Sequence, residues 1–249
     1  MAATFEFRDV GVRFGSVDAL SGVNLSFDQG AVALIGPNGS GKTTLLRLLA
    51  GLQAPTRGVI EAPRSAAIAY VAQLTGQHHW MPLTVGEVIL TARYRRSTRW
   101  RRMTADDHRA VLEAASRLGV HDVLERRFAD LSGGRRQRTL IARAVAAHPT
   151  TLLLDEPITG LDPTSQQLIL DLITEQRDQG HLVVFSTHHL EETENCDRVI
   201  LVNGYIVADG RPADVLSTDN LAELFGAHLI HPDSTAQPLV IDEHVSHDH

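Results

Sequence analysis

The sequence predicts an α/β fold, a mostly parallel sheet with helices on its faces, and three observations carry that expectation. Short apolar runs that read as buried strands alternate with segments of helical period along most of the chain. One such run, Ala31-Val32-Ala33-Leu34-Ile35, leads into a glycine-rich loop, Gly36-Pro37-Asn38-Gly39-Ser40-Gly41-Lys42-Thr43-Thr44. Leu45, Leu46, Leu48 and Leu49 follow it at helical spacing. Another run, Thr151-Leu152-Leu153-Leu154, ends in two carboxylates, Asp155 and Glu156. Ligands of such sheets bind beyond the carboxyl ends of the strands. Lys42, Asp155, Glu156 and His188 all fall at such ends.

The residue types of the loop match a chemistry. It fits the pattern G-x-x-x-x-G-K-[ST] of a phosphate-binding loop, set between strand and helix as that pattern requires. Glycines let backbone N–H groups turn inward around a polyphosphate, and the start of the next helix adds partial positive charge. Lys42 can reach the β- and γ-phosphates, and the Thr43 hydroxyl can ligate Mg2+. Lys42 is the only lysine among 23 basic residues. A compact ammonium and a planar guanidinium are not equivalent on a crowded phosphate.

Composition narrows the class. A chain of 249 residues with 43% hydrophobic content can bury an ordinary core. The net charge of −7 argues against a main surface for nucleic acid. Cys196 is the only cysteine, so no intrachain disulfide forms, which suits a reducing compartment. No apolar stretch approaches the ~18–20 residues needed to cross a bilayer. Glu6, Arg8 and Asp9 near the start do not follow the order of a signal peptide. The expectation is a soluble, intracellular protein whose membrane role runs through a partner.

In chain order, Phe5, Phe7, Val10, Val12 and Phe14, then Val23, Leu25 and Phe27, alternate as strands do. Gly51 reads as the C-cap of the loop helix. Gly58-Val59-Ile60-Glu61 and Ala67-Ile68-Ala69-Tyr70-Val71 read as strands, the second ending at Gln73. Residues 85–124 read as helical and polar on one side. Within them Arg93, Arg95, Arg96, Arg99, Arg101 and Arg102, interleaved with Tyr94 and Trp100, form a basic block. Basic plus aromatic can mark single-stranded nucleic acid. The reading favoured here is a solvated connector near a partner or anionic lipid headgroups.

Thr104, followed by Asp106 and Asp107, opens a further helix with acid in its first turn. Leu131-Ser132-Gly133-Gly134 opens a helix that runs through Ala146. A helix over residues 164–179 precedes the strand Leu182-Val183-Val184-Phe185, which ends at Ser186-Thr187-His188. Residues 199–207 read as a hairpin turning at Asn203-Gly204. Short helices over 213–216 and 221–225 complete the compact part.

Asp155 is placed to hold Mg2+ through water, and Glu156 to accept a proton from an attacking water. An acidic loop after a buried strand is the plainer alternative, and it weakens once a phosphate loop lies upstream. Order and spacing then become specific. Over residues 4–225 the chain resembles the nucleotide-binding subunits of ATP-binding cassette (ABC) transporters. Walker A corresponds to residues 36–44, the Q-loop glutamine to Gln73, and the signature motif to Leu131-Ser132-Gly133-Gly134. Walker B is residues 152–155 followed by Glu156, the D-loop is Gly160-Leu161-Asp162, and the switch histidine is His188. Phe14 lies where the family stacks the adenine ring.

The resemblance implies a P-loop NTPase cassette with a mostly parallel core, an antiparallel β subdomain and a helical signature-motif subdomain over about 85–148. A flexible His- and Asp-rich tail over 226–249 follows. It implies ATP and Mg2+ as cofactors and a head-to-tail pair of chains trapping two ATP molecules. In that pair Gly36, Pro37, Asn38, Gly39, Ser40, Gly41, Lys42, Thr43 and Thr44 of one copy face Ser132, Gly133 and Gly134 of the other. Glu156 would polarise the water and His188 contact the γ-phosphate. Thr43, Gln73 and Asp155 would hold Mg2+, and Gln73 would relay nucleotide state to the helical subdomain. Asp162 would organise the dimer interface, and His189 would be an exposed or structural neighbour. Two departures stand out. Arg135-Arg136-Gln137-Arg138 follows the signature where other residues are usual, which could alter contacts at the helix start. Ile158 occupies a position where Thr or Ser is common.

Within the family, Met81-Pro82-Leu83-Thr84-Val85-Gly86-Glu87-Val88 and the Arg-rich stretch resemble the ATPase subunits of zinc and manganese importers. Those work at the cytoplasmic face of the cell membrane with an integral membrane permease and an extracytoplasmic metal-binding protein. Nucleic acid is not an expected partner. His228, His231, His244, His247 and His249 lie in a tail with four acids and no Lys or Arg. That composition reads either as a loose metal site or as a passive acidic tail. His78-His79-Trp80 reads as packing at the permease contact. Import of an iron chelate or cobalamin, and a non-transport role such as iron–sulfur cluster assembly, are the alternatives.

Overall fold

Two sheets organise the chain, and the computed structural model describes residues 4–63, 66–73, 82–94 and 103–226. The strands in chain order are β1 (Phe5–Phe14), β2 (Val17–Phe27), β3 (Gly30–Ile35), β4 (Arg57–Glu61), β5 (Ile68–Val71), β6 (Thr151–Leu154), β7 (Leu182–Thr187), β8 (Arg198–Val202) and β9 (Ile206–Gly210). The helices are α1 (Lys42–Leu49), α2 (Val85–Leu90), α3 (Ala105–Arg117), α4 (Gly133–Ala146), α5 (Pro163–Asp178), α6 (Pro212–Val215) and α7 (Thr218–Phe225). A three-stranded antiparallel sheet has the order β2-β1-β4, and a six-stranded sheet has the order β5-β6-β7-β3-β8-β9. In the larger sheet only β9 runs antiparallel to its neighbour.

Every residue of β3, β6 and β7 is buried. That explains why these strands are continuous apolar runs and not alternating ones. The pleat sends alternate side chains to opposite faces. Ala31, Ala33, Ile35, Leu152, Leu154, Val183 and Phe185 enter a core shared with α4 and α5. Val32, Leu34, Leu153, Leu182 and Val184 enter a second core with Leu45, Leu46 and Leu49 of α1 and Phe5, Phe7 and Phe27 of the antiparallel sheet. Gly51, at φ 67°, ends α1 in the left-handed conformation expected of a residue just past a helix.

Within the stretch 85–124 the further helix expected to open at Thr104 is present. Two capping boxes start two separate helices: Thr84 with Glu87 opens α2, and Thr104 with Asp107 opens α3. A 3-10 turn, Thr91–Arg93, extends α2 and a second, His121–Val123, follows α3. Arg93 departs from the basic block assigned to it. Its Nε donates to Asp107 Oδ1 at 3.0 Å and its Nη1 donates to Ala146 O at 3.1 Å. It therefore ties the end of α2 to the first turn of α3 and the last turn of α4, instead of offering a free cation to a partner. Tyr94 is 59% exposed. The rest of the block, Arg95, Arg96, Arg99, Trp100, Arg101 and Arg102, lies outside the described residues, as do His78, His79, Trp80, Met81 and the tail from Ala227.

Asp107 is only 4% exposed. The Thr104 backbone N–H, then the Thr104 hydroxyl and Arg93, hold its carboxyl far below the usual aspartate range. A depressed folded-state value stabilises the fold above the unfolded aspartate pKa of about 3.9, and that contribution fades as pH falls toward the folded value. Asp107→Ala is expected to lower the thermal midpoint at neutral pH, with the gap to the parent narrowing below about pH 4 in calorimetric scans.

Candidate active site

The glycine-rich loop leaves β3 into a seat with no spare room. A Cβ on Gly36 would lie 2.1 Å from Val202 O at the end of β8 and 2.5 Å from Ser40 Oγ. Gly41 has φ 103°, and a Cβ there would lie 2.6 Å from Leu20 Cδ2 and 2.7 Å from Ala19 O on β2. Only glycine fits either position. The β8–β9 turn pins the loop from outside: Gly204 N donates to Ser40 O at 2.8 Å, and Ser21 N donates to Gly204 O at 2.7 Å. Lys42, 6% exposed, donates from Nζ to Gly36 O at 2.5 Å and Pro37 O at 3.0 Å, so its ammonium lies across the mouth of the loop.

Two features of this seat fit an anionic guest. The first turn of α1, which carries Thr43 and Thr44, has no side-chain cap hydrogen bond at Gly41. Ser40 Oγ is buried with no hydrogen-bond partner among the described residues. Uncapped amides beside an unsatisfied buried hydroxyl match the needs of phosphate oxygens. Phe14, 50% exposed, stands at the end of β1.

The two carboxylates sit beyond the end of β6. Asp155 is 3% exposed: Ser186 donates to its Oδ1 at 2.8 Å and Tyr70 donates to its Oδ2 at 3.3 Å. Burial, then the Asp155 charge, pushes the Tyr70 hydroxyl above its ordinary value, so it remains a protonated donor. A buried carboxylate held by hydroxyls offers hard oxygen donors of the kind that fit Mg2+.

Glu156 follows at φ 46°, a left-handed conformation that costs a non-glycine residue about 1–2 kcal/mol. Its backbone N–H donates to Ser186 Oγ at 2.8 Å, and its carboxylate accepts Gln73 Nε2 at 2.8 Å. Ser186, fully buried on β7, therefore fastens the aspartate side chain and the strained glutamate backbone together. His188 and His189 follow β7 with ring centroids 4.1 Å apart, and His189 is exposed.

Ser132, Gly133 and Gly134 are carried by a different layer. Ser132 caps α4, its Oγ accepting Arg135 N at 3.4 Å. Helix α4 packs on α2, α3, α5 and β5, whereas α1 packs on β2, β6 and β7. Within one chain the signature and the phosphate loop thus belong to different packing layers. Asp162 is the N-cap of α5, accepting Ser165 N at 3.0 Å and Ser165 Oγ at 2.6 Å. Both departures acquire a local reason. Arg135 pairs with Asp122 at 3.1 Å, and Arg138 Nη1 donates to Leu118 O at 2.6 Å and Gly119 O at 2.9 Å, joining α4 to the end of α3. Ile158, 2% exposed, packs into the main core, where a threonine hydroxyl would need a partner.

Tyr70 and Ser186 are the site residues that sequence reading passes over. Both stand in strands recognised only as apolar runs, and the available signal was weak: a polar residue near the carboxyl end of a strand beside β6. Removing the Ser186 hydroxyl leaves Asp155 Oδ1 and Glu156 N–H without that partner, each worth about 1–3 kcal/mol if left unsatisfied. Ser186→Ala is expected to lose about 2 kcal/mol of stability in denaturant unfolding.

Comparison with known proteins gives the family. Residues 20–159 match the ABC transporter family. The manganese transport system ATP-binding protein MntA of Synechocystis sp. is 35% identical over 242 residues, covering 91% of this chain and 93% of the relative. The chelated iron transport system membrane protein YfeB of Yersinia pestis is 36% identical, covering 86% and 75%. The zinc import ATP-binding protein ZnuC of Pseudomonas putida is 35% identical, covering 99% and 90%. Among solved structures, an inward-facing ABC transporter of metal-chelate type superposes with a TM-score of 0.78 at 30% identity, covering 90% of this chain and 89% of that one. With its loop, carboxylates and signature helix in place, the chain belongs to the ABC transporter family and is an ATP-binding ATPase of that family.

Proposed function

We propose that this chain powers import of a divalent metal ion, manganese or zinc, as the ATP-hydrolysing subunit of a transporter. The observation that carries this reading is the likeness to manganese and zinc ATP-binding subunits along more than nine-tenths of the chain. Transport would run through a separate integral membrane permease, with an extracytoplasmic metal-binding protein delivering the ion. Among the described residues no helix is long and apolar enough to cross a membrane. From its likeness to ATP-binding subunits of transport systems, the chain would sit peripherally, at the cytoplasmic face. Residues 4–225 would act as the ATP-binding unit, with 85–148 as its helical subdomain and 226–249 as a tail. Import of an iron chelate is the second reading, favoured by the Yersinia pestis relative.

In this reading the loop amides, Lys42 and the buried Ser40 hydroxyl bind the β- and γ-phosphates, and Phe14 stacks on the adenine. Ser132, Gly133 and Gly134 of a second copy close the site from the far side. That arrangement explains why the two elements are carried by separate layers of one chain. Glu156 takes a proton from water, Gln73 holds its carboxylate in place, and His188 meets the γ-phosphate. Thr43, Gln73 and Asp155 are the residues that would hold Mg2+, which when bound neutralises charge on the phosphate oxygens. Positioning and charge compensation supply most of the catalysis in phosphoryl transfer, so strained and clamped groups are expected here.

Glu156→Gln removes the base and keeps the shape. It is expected to lower kcat by about 10²–10⁴-fold while ATP binding and an ATP-dependent dimer persist, read by phosphate release and light scattering. Turnover at the parent rate would assign the base elsewhere. Lys42→Ala is expected to weaken titration by a fluorescent ATP analogue. For the cargo, reconstitution with the permease should give ATP-dependent uptake of manganese or zinc. Uptake of an iron chelate alone would select the second reading.

A further inference from the structure

One partly buried carboxylate beside the site has no part in the chemistry above. Glu192 lies on the 3-10 turn Leu190–Thr193, and its Oε2 accepts a 2.6 Å hydrogen bond from the hydroxyl of Thr187, the last residue of β7. The same hydroxyl accepts the backbone N–H of His189 at 3.0 Å. A threonine hydroxyl has one proton to donate and lone pairs to receive with. Once the proton is committed to Glu192, the lone pairs are left for His189 N–H. The carboxylate thus orients the hydroxyl proton, and the hydroxyl links Glu192 to the His189 N–H across His188.

The surroundings make this bracket rigid. Thr187 is 2% exposed and lies in register with Ile35, the residue before Gly36. The turn that carries Glu192 is anchored too. Fully buried Thr193 donates to Leu190 O at 2.7 Å. Cys196 N donates to Thr193 O at 3.0 Å, and Asp197 N donates to Ala31 O at 2.9 Å. Asp197 Oδ2 in return accepts Ala31 N at 2.8 Å. Glu192 is thereby mounted on a platform bound to β3, the strand that feeds the phosphate loop. Burial raises its pKa, against the pull of the Thr187 hydroxyl and of His189.

We infer that Glu192 is a positioning residue for ATP hydrolysis: by orienting the Thr187 hydroxyl it sets the turn at residues 187–189 and so the place of the His188 ring. The inference rests on the reading in which His188 meets the γ-phosphate. It differs from a purely structural role because it acts on turnover through one named side chain.

The test is steady-state ATP hydrolysis by the purified full-length chain carrying Glu192→Leu, Glu192→Gln, His188→Ala, and Glu192→Leu combined with His188→Ala. Glu192→Leu is expected to lower kcat about tenfold while leaving KM for ATP within about twofold. Glu192→Gln, whose amide oxygen still accepts from Thr187, is expected to keep most of the parent kcat. The double variant is expected to be no slower than His188→Ala alone, because both changes break one pathway. Equal losses in the Leu and Gln variants, or additive losses in the double variant, would overturn the inference. An impaired His188→Ala beside an unimpaired Glu192→Leu would sink the Glu192 role and spare the hydrolysis reading. A fully active His188→Ala would remove both. Should Glu192→Leu fail to fold, Thr187→Val against Thr187→Ser makes the same comparison, with loss expected in the first and retention in the second.

Discussion

The closeness of backbone to backbone around residues 36–41 is the constraint on which the rest of the structure depends. Val202 O occupies the space where a side chain on Gly36 would begin, and Ala19 O and Leu20 do the same at Gly41. The loop is therefore shaped by three strands from two sheets, β3 beneath it, β8 on one side and β2 on the other. Its curvature follows from that seat and from the hydrogen bonds of Gly204 to Ser40 and Ser21. The concavity is preformed, so a guest bound there would spend little binding energy on ordering the chain. This is also why the antiparallel sheet belongs to the site although it contributes few chemical groups.

The parallel sheet then works as an alignment device. β6, β7 and β3 are neighbours with their carboxyl ends together, which brings Asp155, Ser186, Thr187 and Gly36 to one edge. Each strand end is held by a group from the next. Ser186 on β7 fastens the residues that follow β6, and Gln73 after β5 holds Glu156. The left-handed backbone at Glu156 persists because these neighbours over-determine it. Strain at Glu156 is balanced by the polar contacts of its backbone and carboxylate.

The helical layer is joined differently. Its links are charged and capped: Asp107 with Thr104 and Arg93, Arg93 with the end of α4, Arg138 with the end of α3, and Arg135 with Asp122. Two of these arginines, Arg93 and Arg138, bond carbonyl oxygens at helix ends, where a cation meets the negative pole of the dipole. Arg135 and Arg138, after the signature, thus have work inside the layer. They do not need a ligand to explain them.

Much of this was legible in the linear chain. The α/β class, the phosphate loop, the strand ending in two acids and the glycines of the signature follow from local periodicity and short motifs, because each is written within about ten residues. The pairings were not legible. Ser186 meets Asp155 across 31 positions and Gln73 meets Glu156 across 83. The ion pair that takes Arg93 out of the basic block also required the folded chain. The physical reason is the strand order, β5-β6-β7-β3-β8-β9, which is not the order of synthesis. Local pattern decides what each segment becomes, whereas which strand ends touch depends on how separate apolar faces share a core, and only the assembled sheet resolves that.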